Sequence, residues 1–125
     1  MSGLTLDTGA LIAFERNDRR VVALIAQALH HELEVAVPAG VVAQVWRDGR
    51  RQVRLARLLG ADPIEIEALD DRRARRAGQL CGVRQTADIV DASVVLCAKE
   101  RGHRVVTSDV DDLRRLDPSV PLISV

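Results

Sequence analysis

Aspartates carry most of the chemistry that this sequence could do. Asp7 follows Leu4-Thr5-Leu6, Asp109 follows Arg104-Val105-Val106-Thr107-Ser108, and Asp88 and Asp91 open an apolar helical stretch. Spaced at i and i+3, the last two share one face of a helix. Asp111 and Asp112 follow Asp109 closely, and no basic residue between Val105 and Leu113 offsets the three. Each has an ordinary structural use. Asp7, Asp88 and Asp109 stand where helix N-caps belong, and Asp91 and Asp112 sit three residues after a cap, in capping-box register. Their joint placement adds something that capping does not explain. Two unit charges about 5 Å apart repel by roughly 3 kcal/mol at an effective dielectric of 20, so converging carboxylates call for a cation. Oxygen donors with open coordination positions suit magnesium or manganese, which can activate water for phosphodiester hydrolysis.

The elements that must position these acids alternate between two periods. Leu4-Thr5-Leu6 is β-compatible and runs into a helical Gly9-Ala10-Leu11-Ile12-Ala13-Phe14. Residues 18–31 place Val21, Val22, Leu24, Ile25, Ala28 and Leu29 at helical spacing behind Asp18. Glu34-Val35-Ala36-Val37 reads as a strand ended by Pro38. Helices are expected over 39–48 and 50–59, divided at Gly49, followed by a strand over 63–67. Further helices are expected over 70–81 and 88–101, the second closed by Gly102. A strand at 104–107, a short helix at 109–116 and a strand at 121–125 complete the chain. This order predicts a doubly wound α/β/α sandwich with a central parallel sheet of four to five strands. In such sheets ligands bind outside the carboxyl ends of the strands, where Asp7 and Asp109 fall.

At 125 residues, 47% of them apolar and 29% charged, the composition fits one globular domain over residues 1–125. No apolar run reaches the roughly 20 residues of a membrane span. The stretch Met1-Ser2-Gly3-Leu4-Thr5-Leu6-Asp7 lacks the features of a signal peptide, so a cytoplasmic location is expected. Cys81 and Cys97 have no metal-ligand spacing and read as small buried hydrophobes. Eighteen acidic and eighteen basic residues cancel, yet every basic residue except Lys99 is arginine, the better fork for phosphate or carboxylate. With Phe14 and Trp46 as the only aromatics, the chain cannot build a base-stacking platform, so nucleic acid would be held by its phosphates. Arg47, Arg50, Arg51, Arg54 and Arg57 recur at about helical spacing and could form such a phosphate ridge, or a solvated face with Asp48. Arg72, Arg73, Arg75 and Arg76 read as a solvated face. Trp46 reads as core or partner interface. His30, His31 and His103 have no carboxylate partner in sequence and are assigned no chemistry.

Three blocks together carry a resemblance. Leu4-Thr5-Leu6-Asp7-Thr8-Gly9-Ala10-Leu11, Ala87-Asp88-Ile89-Val90-Asp91-Ala92 and Val105-Val106-Thr107-Ser108-Asp109-Val110-Asp111-Asp112-Leu113 resemble the signature blocks of PIN domains, most closely those of VapC-like toxins. The resemblance implies a magnesium-dependent endoribonuclease, with manganese as an alternative ion. It also implies a homodimer and inhibition by a small VapB-type antitoxin covering the acidic cleft. By the same resemblance Asp7, Asp91 and Asp109 match catalytic metal-binding acids, Asp112 matches a further and less regular one, and Asp88 is an extra acid. The family usually has a glutamate where Gln44 stands. An amide oxygen still accepts a hydrogen bond, but the charge is missing; Asp48 or Asp88 could face the same way. The alternative is therefore a catalytically weakened PIN-like module that binds RNA or a protein without cutting. Asp7-Thr8-Gly9 also spells the aspartic-protease motif, which the surrounding helices reject, and a phospho-acceptor receiver would need an aspartate where Ala68-Leu69 stands.

Overall fold

Burial of both faces decides the sheet. β1 (Leu4–Leu6) is buried at every position, as is β2 (Val35–Pro38), and strands covered on both sides favour parallel pairing with helical crossovers. The computed structural model describes residues 3–125; Met1 and Ser2, part of the stretch read for a signal peptide, lie outside the described residues. Between β1 and β2 come α1 (Thr8–Glu15) and α2 (Arg19–His30), and α3 (Ala39–Val45) and α4 (Val53–Leu59) lead to β3 (Ile64–Glu67). α5 (Asp71–Arg84) and α6 (Ile89–Arg101) return the chain to β4 (Arg104–Thr107), and α7 (Val110–Leu116) precedes β5 (Leu122–Ser124).

All neighbouring strands are parallel, in the order β3-β2-β1-β4-β5. The chain winds outward from β1 to β3 and then crosses to β4 on the other side of β1. The β1–β4 boundary is thus the topological switch point, where ligand crevices form. Right-handed crossovers put the outward helices on one face and the returning ones on the other. Accordingly α1 packs with α2, α3 and α4, while α5, α6 and α7 pack with one another. α6 is buried continuously from Ala92 to Ala98, as expected of a helix lying on β1, β2 and β4 with α5 and α7 beside it. Both cysteines are free and buried. No helix among the described residues is long and apolar enough to cross a membrane.

Several local expectations change. α3 stops at Val45 and α4 starts only at Val53, because the Gln52 side chain organises the loop between them. Its Oε1 accepts the N–H groups of Arg47 (2.7 Å) and Asp48 (2.9 Å), and its Nε2 donates to the Val45 carbonyl (2.8 Å). Asp48 caps the Arg50 N–H at 3.0 Å inside this loop and faces no acid cluster. Arg47, Arg50 and Arg51 therefore leave the helical ridge expected of them, and only Arg54 and Arg57 lie on α4. Trp46 is 39% exposed and lies over Gly49, where an added Cβ would meet its Cζ2 at 2.8 Å, so it is not core.

The arginines of α5 are not simply solvated. Arg73 is largely buried, bonds Glu67 at 3.1 Å and pairs with Glu100, which also takes Arg76; Arg75 holds Asp71 at 3.0 Å. α5 lies along α6, which brings Glu100 within reach. His103 does have a carboxylate partner: its Nε2 lies 2.9 Å from Glu34, and its Nδ1 lies 2.9 Å from the Thr5 hydroxyl. Burial nevertheless pushes its pKa below the usual histidine value.

Candidate functional site

Of the helices that begin at the carboxyl edge of the sheet, three that bear on the site have an aspartate at the cap. Asp7 caps α1, Asp88 caps α6 and Asp109 caps α7. The N-terminal dipole of each helix favours a negative charge there. The three caps differ in what their carboxylates do. Asp88 accepts the Asp91 N–H at 2.9 Å, as a helix cap should. Asp7 is 1% exposed; its Oδ1 accepts the Thr8 N–H at 2.7 Å and its Oδ2 accepts the Thr107 hydroxyl at 2.8 Å. Asp109 makes no side-chain capping bond, which leaves its carboxylate free. Neither expected capping box closes, since the Asp88 N–H goes to the Thr86 hydroxyl at 3.3 Å rather than to Asp91, and the Asp109 N–H goes to the Thr107 hydroxyl at 2.9 Å rather than to Asp112.

Thr107 ties the switch point together. Its hydroxyl donates to Asp7 while accepting the Asp109 N–H at 2.9 Å, so one side chain fixes the end of β1 to the loop after β4. The first turn of α1 must pass close to that loop, and Gly9 permits it: a Cβ there would meet the Ser108 hydroxyl at 2.1 Å. Any larger residue would separate Asp7 from Asp109.

The electrostatics show which acids converge. Burial raises the Asp7 pKa, hydrogen bonds from Thr107 and Thr8 oppose the rise, and the charges of Asp109 and Asp88 add to it. Asp91, half-buried in the first turn of α6, is pushed up to about 7 by burial and then by Asp88, Asp7 and Asp109. Four carboxylates on three elements are thus within mutual electrostatic range. Asp112 joins them sideways. A cleft of about 110 Å³ is lined by Thr86, Asp88, Asp91, Asp112, Arg115 and Leu116. A second of about 330 Å³ contains Asp109, Asp111 and Asp112 with Ser108 and Ser124, so Asp112 stands on the wall common to both.

The donor chemistry of this cluster fits a hard divalent cation, which would relieve the carboxylate repulsion that adds to burial in raising the Asp91 pKa. Among the described residues, no three acidic, histidine or cysteine side chains close around a single point, so the carboxylates converge without forming a ready cage. Gln44 is exposed on α3, and its Oε1 accepts the Thr8 hydroxyl at 2.5 Å, which places it beside the residue that follows Asp7.

The arginines lie elsewhere or are occupied. Arg47 donates to the Ala43 (3.1 Å) and Trp46 (2.7 Å) carbonyls, and Arg54 to Asn17 Oδ1 (2.8 Å). Arg51 makes only a long contact of 4.0 Å to Asp48, and Arg50 is exposed. A cleft of about 370 Å³ between the end of β3, α5 and the end of α6 is lined by Glu67, Arg73, Arg76, Glu100 and Arg101, which largely satisfy one another. Three features of the site escaped the sequence reading: the Thr8–Gln44 bond, the double role of Thr107, and Arg115 in the acidic cleft. The first two carry no periodic signal. The third was visible, because Arg115 lies three residues after Asp112 on the same helical face.

A model of the PIN domain matches residues 4–118. No sequence among curated proteins matches the chain. Among solved structures, VapBC2 from Rickettsia felis, bound to a DNA fragment from its promoter, superposes with a TM-score of 0.73 at 15% identity, covering 98% of each chain. A toxin–antitoxin complex from Klebsiella pneumoniae gives 0.69 at 18% identity over 98% of this chain and 97% of the other. VapC20 from Mycobacterium tuberculosis, a sarcin–ricin loop cleaving toxin, gives 0.63 at 17% identity over 88% and 94%. At such identities the likeness is one of fold.

Proposed function

The chain belongs to the PIN-domain family, and on that premise we propose that it is a metal-dependent endoribonuclease acting as the toxin of a toxin–antitoxin pair. The observation that carries the proposal is Asp7, buried at the switch point, bonded through Thr107 to the loop that holds Asp109 and within electrostatic range of Asp109 and Asp88. Asp7, Asp91 and Asp109, with Asp112 beside them, would hold magnesium or manganese, which would polarise a phosphodiester and lower the pKa of an attacking water. Thr107 keeps Asp7 and Asp109 in register, and the Thr8–Gln44 bond braces the mouth of the site. Asp88 stays engaged as a cap and acts on the others through its charge.

Arg50, Arg51 and Arg57 are the exposed arginines of the α3–α4 region left free to meet RNA phosphates. Capture by a small antitoxin protein and pairing as a homodimer belong to the same reading. Solved neighbours are toxin–antitoxin complexes, and Ile12, Trp46 and Val53 leave apolar surface exposed. A cytoplasmic location goes with that role.

Incubating the protein with structured RNA and magnesium tests the activity, with Asp7→Asn as the paired control. Asparagine preserves the cap, so the variant should stay folded and lose at least about 100-fold in cleavage. Parent-rate cutting by Asp7→Asn would sink the site assignment. The second reading, a module that binds without cutting, is favoured by the neutral Gln44 at the mouth; RNA binding without magnesium-dependent cleavage would establish it.

A further inference from the structure

The acidic cleft contains one cation of its own. Arg115 lines it together with Asp88, Asp91 and Asp112, yet among the described residues Arg115 forms no ion pair. An arginine beside three carboxylates that is bonded to none of them keeps its guanidinium available for another anion. Its mounting is firm. Leu113 and Leu116 bury the inner side of α7, and Asp117 at the end of the helix accepts bonds from Ser119 and pairs with Lys99 at 3.2 Å. Helical side chains lean toward the N-terminus, so Arg115 inclines back over Asp112, about 4.5 Å away along the axis.

We propose that Arg115 is the phosphate fork of this site: it binds the non-bridging oxygens of the RNA phosphodiester brought to the acid cluster. The inference rests on the nuclease reading above and adds a residue to it. The acids alone would repel a polyanion. A cation among them offsets part of that field, but a spherical charge does not orient a phosphate, whereas a planar guanidinium donates to two of its oxygens at once. Fixed to the helix that carries Asp112, Arg115 would present the phosphorus at one distance from the acids. Arg114 has the same charge and adjoins it in sequence, but it does not line the cleft.

The test compares the parent with Arg115→Ala, Arg115→Lys and Arg114→Ala on a short structured RNA with magnesium, reading kcat and KM separately. Arg115→Ala should lower kcat/KM by about 100-fold, Arg115→Lys should restore part of the loss without restoring the fork, and Arg114→Ala should match the parent. Melting temperatures of Arg115→Lys and Arg114→Ala should match the parent's, because residues 114 and 115 are exposed and the lysine keeps the charge. RNA binding is measured in parallel in the Asp7→Asn background across a salt series. There Arg115→Ala should reduce the slope of log K against log salt by about 0.7. Equal kcat/KM for Arg115→Ala and the parent would overturn the fork while leaving the nuclease reading intact. A parent that cuts no RNA would overturn the nuclease reading. The fork would then stand only if the salt slope still fell, and an unchanged slope would remove it too.

Discussion

Replacing Asp91 by asparagine should stabilise the metal-free protein, and by an amount that depends on pH in a defined way. Asp91 is held near pH 7 by burial and by three neighbouring carboxylates, against 3.8 for the free side chain. Taken whole, that distance corresponds to about 4 kcal/mol between its two protonation states. Asp91 is only half-buried, and solvent screening reduces the useful part to roughly 1–2 kcal/mol. The folded protein holds this proton more tightly than the unfolded chain does. The contribution to stability is therefore fully present below about pH 4 and is lost as pH rises through about 7. Asparagine cannot ionise, so in chelator the variant and the parent should melt together at pH 4 and separate above it. At pH 8 the variant should melt higher by roughly 4–8 °C, taking about 4 °C per kcal/mol at this chain length.

Thermal denaturation followed by circular dichroism at unit pH steps, with chelator and then with magnesium, reads both halves of this argument. Magnesium should raise the parent's melting temperature at pH 8 and leave the variant nearly unmoved, since a ligand that binds only the folded state stabilises it by mass action. Identical melting curves in chelator at pH 8 would show that the carboxylates do not repel one another in the folded protein. An equal magnesium response in the two proteins would remove Asp91 from any cation site.

Gln44→Glu should add a charge at the mouth of the cluster, lowering the melting point in chelator by about 4 °C for about 1 kcal/mol of repulsion and tightening magnesium binding in calorimetric titration. A glutamine that only braces Thr8 predicts neither change. His103→Gln should flatten the acid side of the stability profile. Burial depresses the His103 pKa, so its contribution is present above about pH 6.5 and lost as pH falls through the folded value; melts between pH 7.5 and 5 should show the parent losing more than the variant.

The order of elements was readable because each carries its own period and its own stop. Asp18 caps α2, Asp70 caps α5, and Gly102 ends α6 in the left-handed conformation that glycine tolerates best. The acids were readable because strand ends in a parallel sheet share one edge. What the pattern could not show is held by single side chains reaching across the fold. The α3–α4 boundary depends on one glutamine bonding three backbone groups, a competition between side chain and helix ladder that helical periodicity does not register. Arg73 looks like any exposed arginine until α5 is laid against α6 and Glu67 and Glu100 meet it. His103 is a similar case, its partner Glu34 being supplied by the neighbourhood of another strand.

The capping roles that competed with function in the sequence prove to be part of how the cluster survives folding. Each helix N-terminus stabilises a nearby carboxylate by about 0.3–1 kcal/mol, so three of them supply roughly 1–3 kcal/mol. One pair of carboxylates about 5 Å apart costs roughly 3 kcal/mol at an effective dielectric of 20. The helix ends can therefore offset about one such repulsion. For a cluster of four that offset is incomplete, and the remaining repulsion adds to burial in raising the Asp91 pKa to about 7. The division of labour follows from the bonds each acid makes. Asp88 gives an oxygen to the Asp91 N–H, Asp7 accepts two bonds and keeps lone pairs on both oxygens, and Asp109 is uncommitted. Asp7 and Asp109, joined through Thr107, are the acids whose free oxygens a cation would meet first, and Asp91 is the one whose proton it would displace.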